Sequence, residues 1–231
     1  MSVVSRRTLT DQVSEALLKI IVDDEMSTGD PLPPAGELAK RFDVSTVVIR
    51  EAVAQLAGRG ALSRRQGREP VVALPGADIL AEILTMHGRQ ENIPPSDFLV
   101  CRAALELESA ALAALNLGEH SRALALEPAL ATLRGAKRRE AIVEADLALH
   151  LAIAELSGNR ALKVILMSLV DVIATEITRR TPEENEEYRC ASLRDHEAIV
   201  TAIVSGDAAA ARRSMAAHFD AAMPGYANGS H

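Results

Sequence analysis

Tryptophan is absent, and three phenylalanines and two tyrosines bring the aromatic content to only 2%. A chain so poor in rings cannot build a stacking cage, so any ligand pocket must select by shape, charge and hydrogen bonds. Only two cysteines occur, Cys101 and Cys190, far apart and without metal-ligand spacing. That excludes a cysteine-based zinc module or a disulfide scaffold and points to a reduced cytoplasmic setting, with both thiols expected as buried small apolar groups. No apolar run approaches the roughly 18 residues needed to span a membrane. Met1 to Leu9 also lacks the apolar core of a signal peptide. A surplus of positive charge is missing too, since the net charge is -7 and the pI is near 5.4. The acid is unevenly placed: residues 1–75 balance ten Lys/Arg against ten Asp/Glu, whereas 76–231 hold fifteen against twenty-two. Between Pro31 and Pro70 the count turns to seven basic and four acidic, a mildly basic surface inside an acidic protein.

That basic stretch carries a recognisable pattern. Leu38, Ala39 and Phe42 form one apolar stripe, and Val48, Ile49, Ala52, Val53 and Leu56 form a second. Asp43 and Val44 leave only a short turn between them, with Ser45 placed to cap the second helix. Two helices joined so tightly must cross steeply, as in a helix-turn-helix whose second helix enters the DNA major groove. Ser45, Thr46, Val47 and Arg50 would lie on its outer, N-terminal side. Periodicity alone also allows an ordinary helical corner. The flanks favour the DNA reader. Thr10–Glu25 reads as a preceding helix capped by Thr10, and strand-like runs Ala61–Ser63 and Val71–Ala73 follow. Between those runs, Arg64, Arg65 and Arg68 form a basic wing suited to phosphates.

Residues 8–73 resemble the DNA-binding domain of the GntR family of bacterial transcription regulators. The resemblance rests on Leu32-Pro33-Pro34-Ala35-Gly36-Glu37-Leu38 and on Val44-Ser45-Thr46-Val47-Val48-Ile49-Arg50-Glu51-Ala52-Val53. It implies a winged helix-turn-helix that binds double-stranded operator DNA. Gly36 and Thr46 stand where the family usually carries DNA-contacting arginines, Glu69 replaces the second wing glycine, and Arg50 matches.

Beyond Leu74-Pro75-Gly76, the expected domain boundary, the chain reads as helix after helix. Segments 78–88, 96–117, 120–135, 138–157, 160–180, 185–205 and 207–222 suggest an antiparallel bundle of six or seven helices. The expected fold is therefore mostly α: a winged helix-turn-helix domain with a small β-wing over 1–75, then an all-helical domain over 76–231. Inside the bundle, Asp146 and His150 share one helix face one turn apart. His196 and His218 lie about ten and twelve residues either side of the Gly206-Asp207 turn, hence roughly level on neighbouring helices. Three imidazoles and a carboxylate that converge could hold a first-row divalent metal, although hydrogen-bonded core or surface histidines fit the spacing too. His87, His120 and His231 fit no such geometry and are read as surface residues.

This second part resembles the FCD ligand-binding domain of FadR-like GntR regulators. The matching motifs are Arg102-Ala103-Ala104-Leu105-Glu106, Asp146 with His150, Ser157-Gly158-Asn159, and His196 through Gly206-Asp207 to His218. The resemblance implies a divalent metal, zinc or nickel, on Asp146, His150, His196 and His218. It further implies a small organic acid as effector, with Arg102 as its carboxylate clamp. A plain surface salt bridge from Arg102 to Glu106 is the alternative for that arginine. The function expected is a homodimeric, effector-responsive regulator, acting as a repressor. A direct metal-ion sensor and, through water activation, a metal-dependent hydrolase are the rivals.

Overall fold

The computed structural model describes residues 7–64, 68–182 and 185–223, and these fall into two compact units, up to Ile79 and from Leu80 onward. Arg65 of the expected wing and His231 lie outside the described residues.

The first unit holds α1 (Leu9–Asp23), α2 (Ala35–Phe42), α3 (Thr46–Gly58), β1 (Leu62–Ser63) and β2 (Val71–Val72). Helix α1 begins earlier than the sequence suggests. Thr8, not Thr10, is the N-cap, because only Thr8 has an acid three residues on to complete a capping box with Asp11. Thr10 lies inside the helix and donates to Glu51 of α3 at 3.1 Å. The turn between α2 and α3 is tight because Asp43 takes a left-handed conformation, φ 53°, and Ser45 accepts from Val48 N at 3.3 Å. Val13, Leu17, Leu38, Ile49 and Leu56 are buried together where the three helices meet. Strands β1 and β2 pair antiparallel, Leu62 opposite Val72 and Ser63 opposite Val71. On its other side β2 meets the extended segment before α2: Pro31 bridges Val71, Leu32 N donates to Pro70 O and Gly29 N to Val72 O. The wing root is thus clasped from both sides. The fold is a winged helix-turn-helix.

Helix α4 (Ala77–Gln90) runs across the division between the units. The second unit continues with α5 (Pro95–Leu115), α6 (Glu119–Gly135), α7 (Arg139–Leu156), α8 (Arg160–Arg180), α9 (Glu186–Ser205) and α10 (Ala208–Ala222). Helix α5 packs against α7, α8, α9 and α10. Its buried positions are mostly small (Ala103, Ala110, Ala113, Ala114), which lets four neighbours approach closely. Cys101 points away from that packing and is exposed, while Cys190 is half-buried, so neither is the core residue expected from the sequence. Arg122 ties the bundle together away from the polar centre. Its guanidinium donates twice to Val204 O, at 3.1 and 2.9 Å, and to Leu117 O at 2.5 Å, absorbing carbonyls near the ends of α5 and α9.

Gly206 closes α9 in the left-handed region, φ 82°, and a Cβ built there would lie 3.1 Å from Arg122 Nη2. Gly206→Ala is therefore expected to cost about 1–2 kcal/mol from backbone conformation alone. Urea denaturation followed by far-ultraviolet circular dichroism measures it, and a neutral result would contradict the assignment.

Candidate metal and effector site

Three helices deliver four ligand-capable side chains of the second unit to one place. Asp146 and His150 come from α7, His196 from α9 and His218 from α10, and one ligand-capable atom from each lies within 4.8 Å of the others. The ring centroids of His196 and His218, level across the α9–α10 turn, are 4.4 Å apart. Each is 5.2 Å from that of His150. All three imidazoles are buried, whereas the Asp146 side chain keeps 18% of its surface and marks the open side. His87 and His120 are exposed and take no part.

The outward nitrogens are already committed. His196 Nδ1 sits 2.7 Å from the Ser192 carbonyl, and His150 Nδ1 meets the Glu106 carboxylate. Both rings consequently aim Nε2 inward, and those two atoms approach to 3.2 Å. With both Nδ1 atoms donating, two lone pairs would face each other across that gap. A proton on His196 Nε2, donated toward Asp146 or His150, or a cation relieves that opposition. The donor set, nitrogen and carboxylate oxygen with oriented outer partners, suits a first-row divalent metal.

Charge reinforces the arrangement. Burial works against ionisation of Asp146, yet the His150 and His196 charges beside it, a hydrogen bond from His196 and Arg102 hold it well below the usual carboxylate range. Burial likewise opposes a charged His196, and the carboxylate of Asp146, 2.9 Å from Nε2, more than offsets it, raising that imidazole. His218 shifts the other way: burial, then repulsion from His196 and His150, push it well below normal and leave it neutral.

Arg102 and Glu106, one turn apart on α5, stand behind the imidazoles. Arg102 Nε donates to Glu106 Oε1 at 2.5 Å in the buried interior, so the pairing is not a surface salt bridge. The ring of Phe219 lies 5.4 Å from the guanidinium carbon. Arg102 Nη2 has no hydrogen-bond partner among the described residues and stands 3.8 Å from Asp146 Oδ2. It lines a cavity of about 130 Å³ shared with Asp146, His218 and Tyr188. A buried guanidinium nitrogen left over beside a cavity is a receptor for an anionic oxygen. The second role of Glu106, orienting His150, has no local sequence signal because α7 brings its partner from 44 residues away.

In the first unit, Ser45, Thr46, Val47 and Arg50 are exposed at the start of α3, as are Arg64 and Arg68 at the wing root. The Ser45 hydroxyl is the helix cap. Val48 and Ile49 turn inward.

A winged helix-turn-helix with an exposed recognition face, in one chain with a bundle enclosing a polar cavity, defines a DNA-binding regulator with an effector domain. Comparison with known proteins makes that assignment specific. Residues 9–72 match the family described as bacterial regulatory proteins, gntR family, and residues 97–221 match the FCD domain. The Glc operon transcriptional activator of Escherichia coli strain K12 is 32% identical over 179 residues, covering 74% of this chain and 70% of that protein. The transcriptional repressor NanR of Enterobacter sp. strain 638 is 27% identical over 220 residues, covering 94% and 84%. The solved structure of a Streptococcus agalactiae GntR protein superposes with a TM-score of 0.66 at 27% identity, covering 92% of this chain and 98% of that one. The chain belongs to the GntR family of transcription regulators and carries an FCD effector domain. Like these relatives it is a regulator and not an enzyme, which sets aside the hydrolase alternative.

Glu106→Gln keeps the side-chain volume but strands the Arg102 guanidinium and frees the His150 ring. Breaking a buried ion pair in this way is expected to cost about 3–5 kcal/mol. Chemical denaturation of the metal-free protein measures the loss, and a cost below about 1 kcal/mol would show that Glu106 does not organise the centre.

Proposed function

We propose that the protein is a homodimeric repressor whose operator affinity is set by a small carboxylate. The acid binds at a divalent metal held by Asp146, His150, His196 and His218, zinc or nickel by donor type. The observation that carries this reading is the convergence of three buried imidazoles and Asp146 beside a cavity lined by Arg102, whose Nη2 makes no hydrogen bond. An ion that accepts six ligands and takes four from the protein would keep positions open for a carboxylate oxygen. Arg102 would take the acid's other oxygen, the apolar wall of Leu99 and Phe219 would exclude water, and Glu106 would keep both Arg102 and His150 in place. Thr46, Val47 and Arg50 would face the operator bases, with Arg64, Arg65 and Arg68 toward phosphates. Repression is favoured because NanR relatives, named as repressors, match 94% of this chain. A homodimer supplies the two-fold symmetry that a palindromic operator requires.

The operator comes first: genomic fragments recovered on the zinc-loaded protein supply it. On that DNA, a binding carboxylate is expected to weaken the complex about tenfold, a coupling of about 1.4 kcal/mol. Arg102→Gln is expected to lose the response while keeping one metal per protomer. If free metal alone shifts operator affinity and no acid does, the direct metal-sensor alternative replaces this reading.

Metal binding is also expected to release a proton. Asp146 raises His196 above its ordinary value, so below that raised pKa the metal-free protein carries a proton that a ligand imidazole must give up. Below its raised pKa, affinity should therefore climb with pH by about tenfold per unit for the one proton released, and flatten above it. Isothermal titration calorimetry in buffers of different ionisation enthalpy counts that proton. A count near zero below pH 6.5 would sink the assignment of His196 as a ligand.

A further inference from the structure

The cavity has further polar lining that recognition of a single carboxylate does not use. Arg180 and Thr181 at the C-terminal end of α8, and Tyr188 in the first turn of α9, line it together with Arg102, Asp146 and His218. Arg180 Nε donates to Glu176 Oε1 at 2.7 Å. The same carboxylate accepts two more bonds from Arg179, at 2.8 and 2.7 Å. Hydrogen bonds from Arg179 and then Arg180 pull Glu176 down to about 2, so it is ionised throughout the neutral range. One carboxylate therefore serves two guanidinium groups, and this triad keeps one formal positive charge. The Arg179 side chain is 70% exposed and turned to solvent, whereas Arg180, 40% exposed, is the one that reaches the cavity. Arg180 pairs with Glu176 through Nε alone, and among the described residues its terminal nitrogens make no hydrogen bond. Thr181, whose hydroxyl donates to Ile177 O at 3.0 Å, and Tyr188 line the same cavity.

Size narrows the guest. The cavity of about 130 Å³ is slightly smaller than one of about 150 Å³ that encloses benzene, so about six non-hydrogen atoms are enclosed, and a charged end would reach past them to the partly exposed Arg180. An apolar tail laid against Arg180 would strip water from a charge and return nothing, whereas a second carboxylate can pair with its free nitrogens. Resting on the carboxylate site of the preceding subsection, we propose that the effector is a short dianionic acid. One carboxylate meets Arg102 and the imidazole cluster, and the other meets Arg180, with one or two carbons between them.

Calorimetry on the zinc-loaded full-length protein tests this with two length-matched pairs, malonate against propionate and succinate against butyrate. At least one diacid is expected to bind about tenfold more tightly than its monoacid, the worth of one charge-assisted hydrogen-bonded contact at a partly open site. Arg180→Gln should reduce that ratio to about twofold or less, with monoacid affinity and zinc per protomer unchanged, and Arg180→Lys should keep most of it. Monoacids that bind as well as diacids in the wild type would overturn the proposal, as would a ratio that survives Arg180→Gln. If none of the four acids binds the zinc-loaded protein, the carboxylate site itself falls, and the dianion with it.

Discussion

Ionised groups inside a helical bundle have only each other for solvation, and that constraint governs the second unit. Glu106 is 1% exposed and stays charged only because Arg102 and His150 stand on either side of it. Removing a carboxylate from water costs several kcal/mol, and the attraction returned depends steeply on geometry. Four helices must therefore meet with little tolerance. The small residues of α5 make this possible, since larger side chains at Ala103 or Ala110 would push away the helices that carry the imidazoles. A bundle of this size needs no such centre in order to fold. Well-packed apolar residues would do as well or better, so the cluster is a cost in stability that ligand binding explains.

The DNA-reading unit divides its labour differently. Its framework positions, Leu38, Ile49, Ala52 and Leu56, are fully buried and set the crossing of α2 and α3. Its outer positions are free of that duty. Gly36 illustrates this: nothing lies within 4 Å of the place a Cβ would occupy, so packing does not demand glycine there. The side chains on the outer face can thus change without disturbing the fold, and with them the DNA sequence that is read. Thr46 stands where the family usually carries an arginine, and with Val47 it presents a hydroxyl and three methyl groups, which would favour reading by shape and methyl contact over bidentate hydrogen bonding. Arg50 is the one guanidinium on that face of α3.

Where the determinants are local, the sequence was a sufficient guide. The cap at Ser45 and the levelling of His196 and His218 by the Gly206-Asp207 turn follow from residue type and helical rise. Thr8 was equally legible through its Asp11 partner, and Thr10 competes only if that reciprocal bond is ignored. Contacts between distant segments were not legible. Nothing in Pro31 or Leu32 announces that their backbone will clasp β2, and nothing in Glu106 announces His150. Cys101 shows the opposite failure. Residue type argued for burial, and its place on the outer side of α5 overrode it.

How occupancy of the cavity reaches the operator is limited by which parts can move. Arg102 and Glu106 sit in mid-helix within close packing and are poor candidates for displacement. Arg180, Thr181 and Tyr188 sit where α8 ends and α9 begins, and Ala222 at the end of α10 lines the same cavity. Helix termini have fewer buried contacts to lose, so an acid that draws Arg180 toward Arg102 would act on ends and not on middles. That displacement regulates only if the acid binds one arrangement of the protein better than another, and the difference in affinity is the whole of its leverage. Linkage then works in both directions. If the acid loosens the operator complex by a given factor, the operator must weaken the acid by the same factor. The regulator bound to its operator is consequently less sensitive to the acid than the free protein, so the threshold for release lies above the affinity measured without DNA.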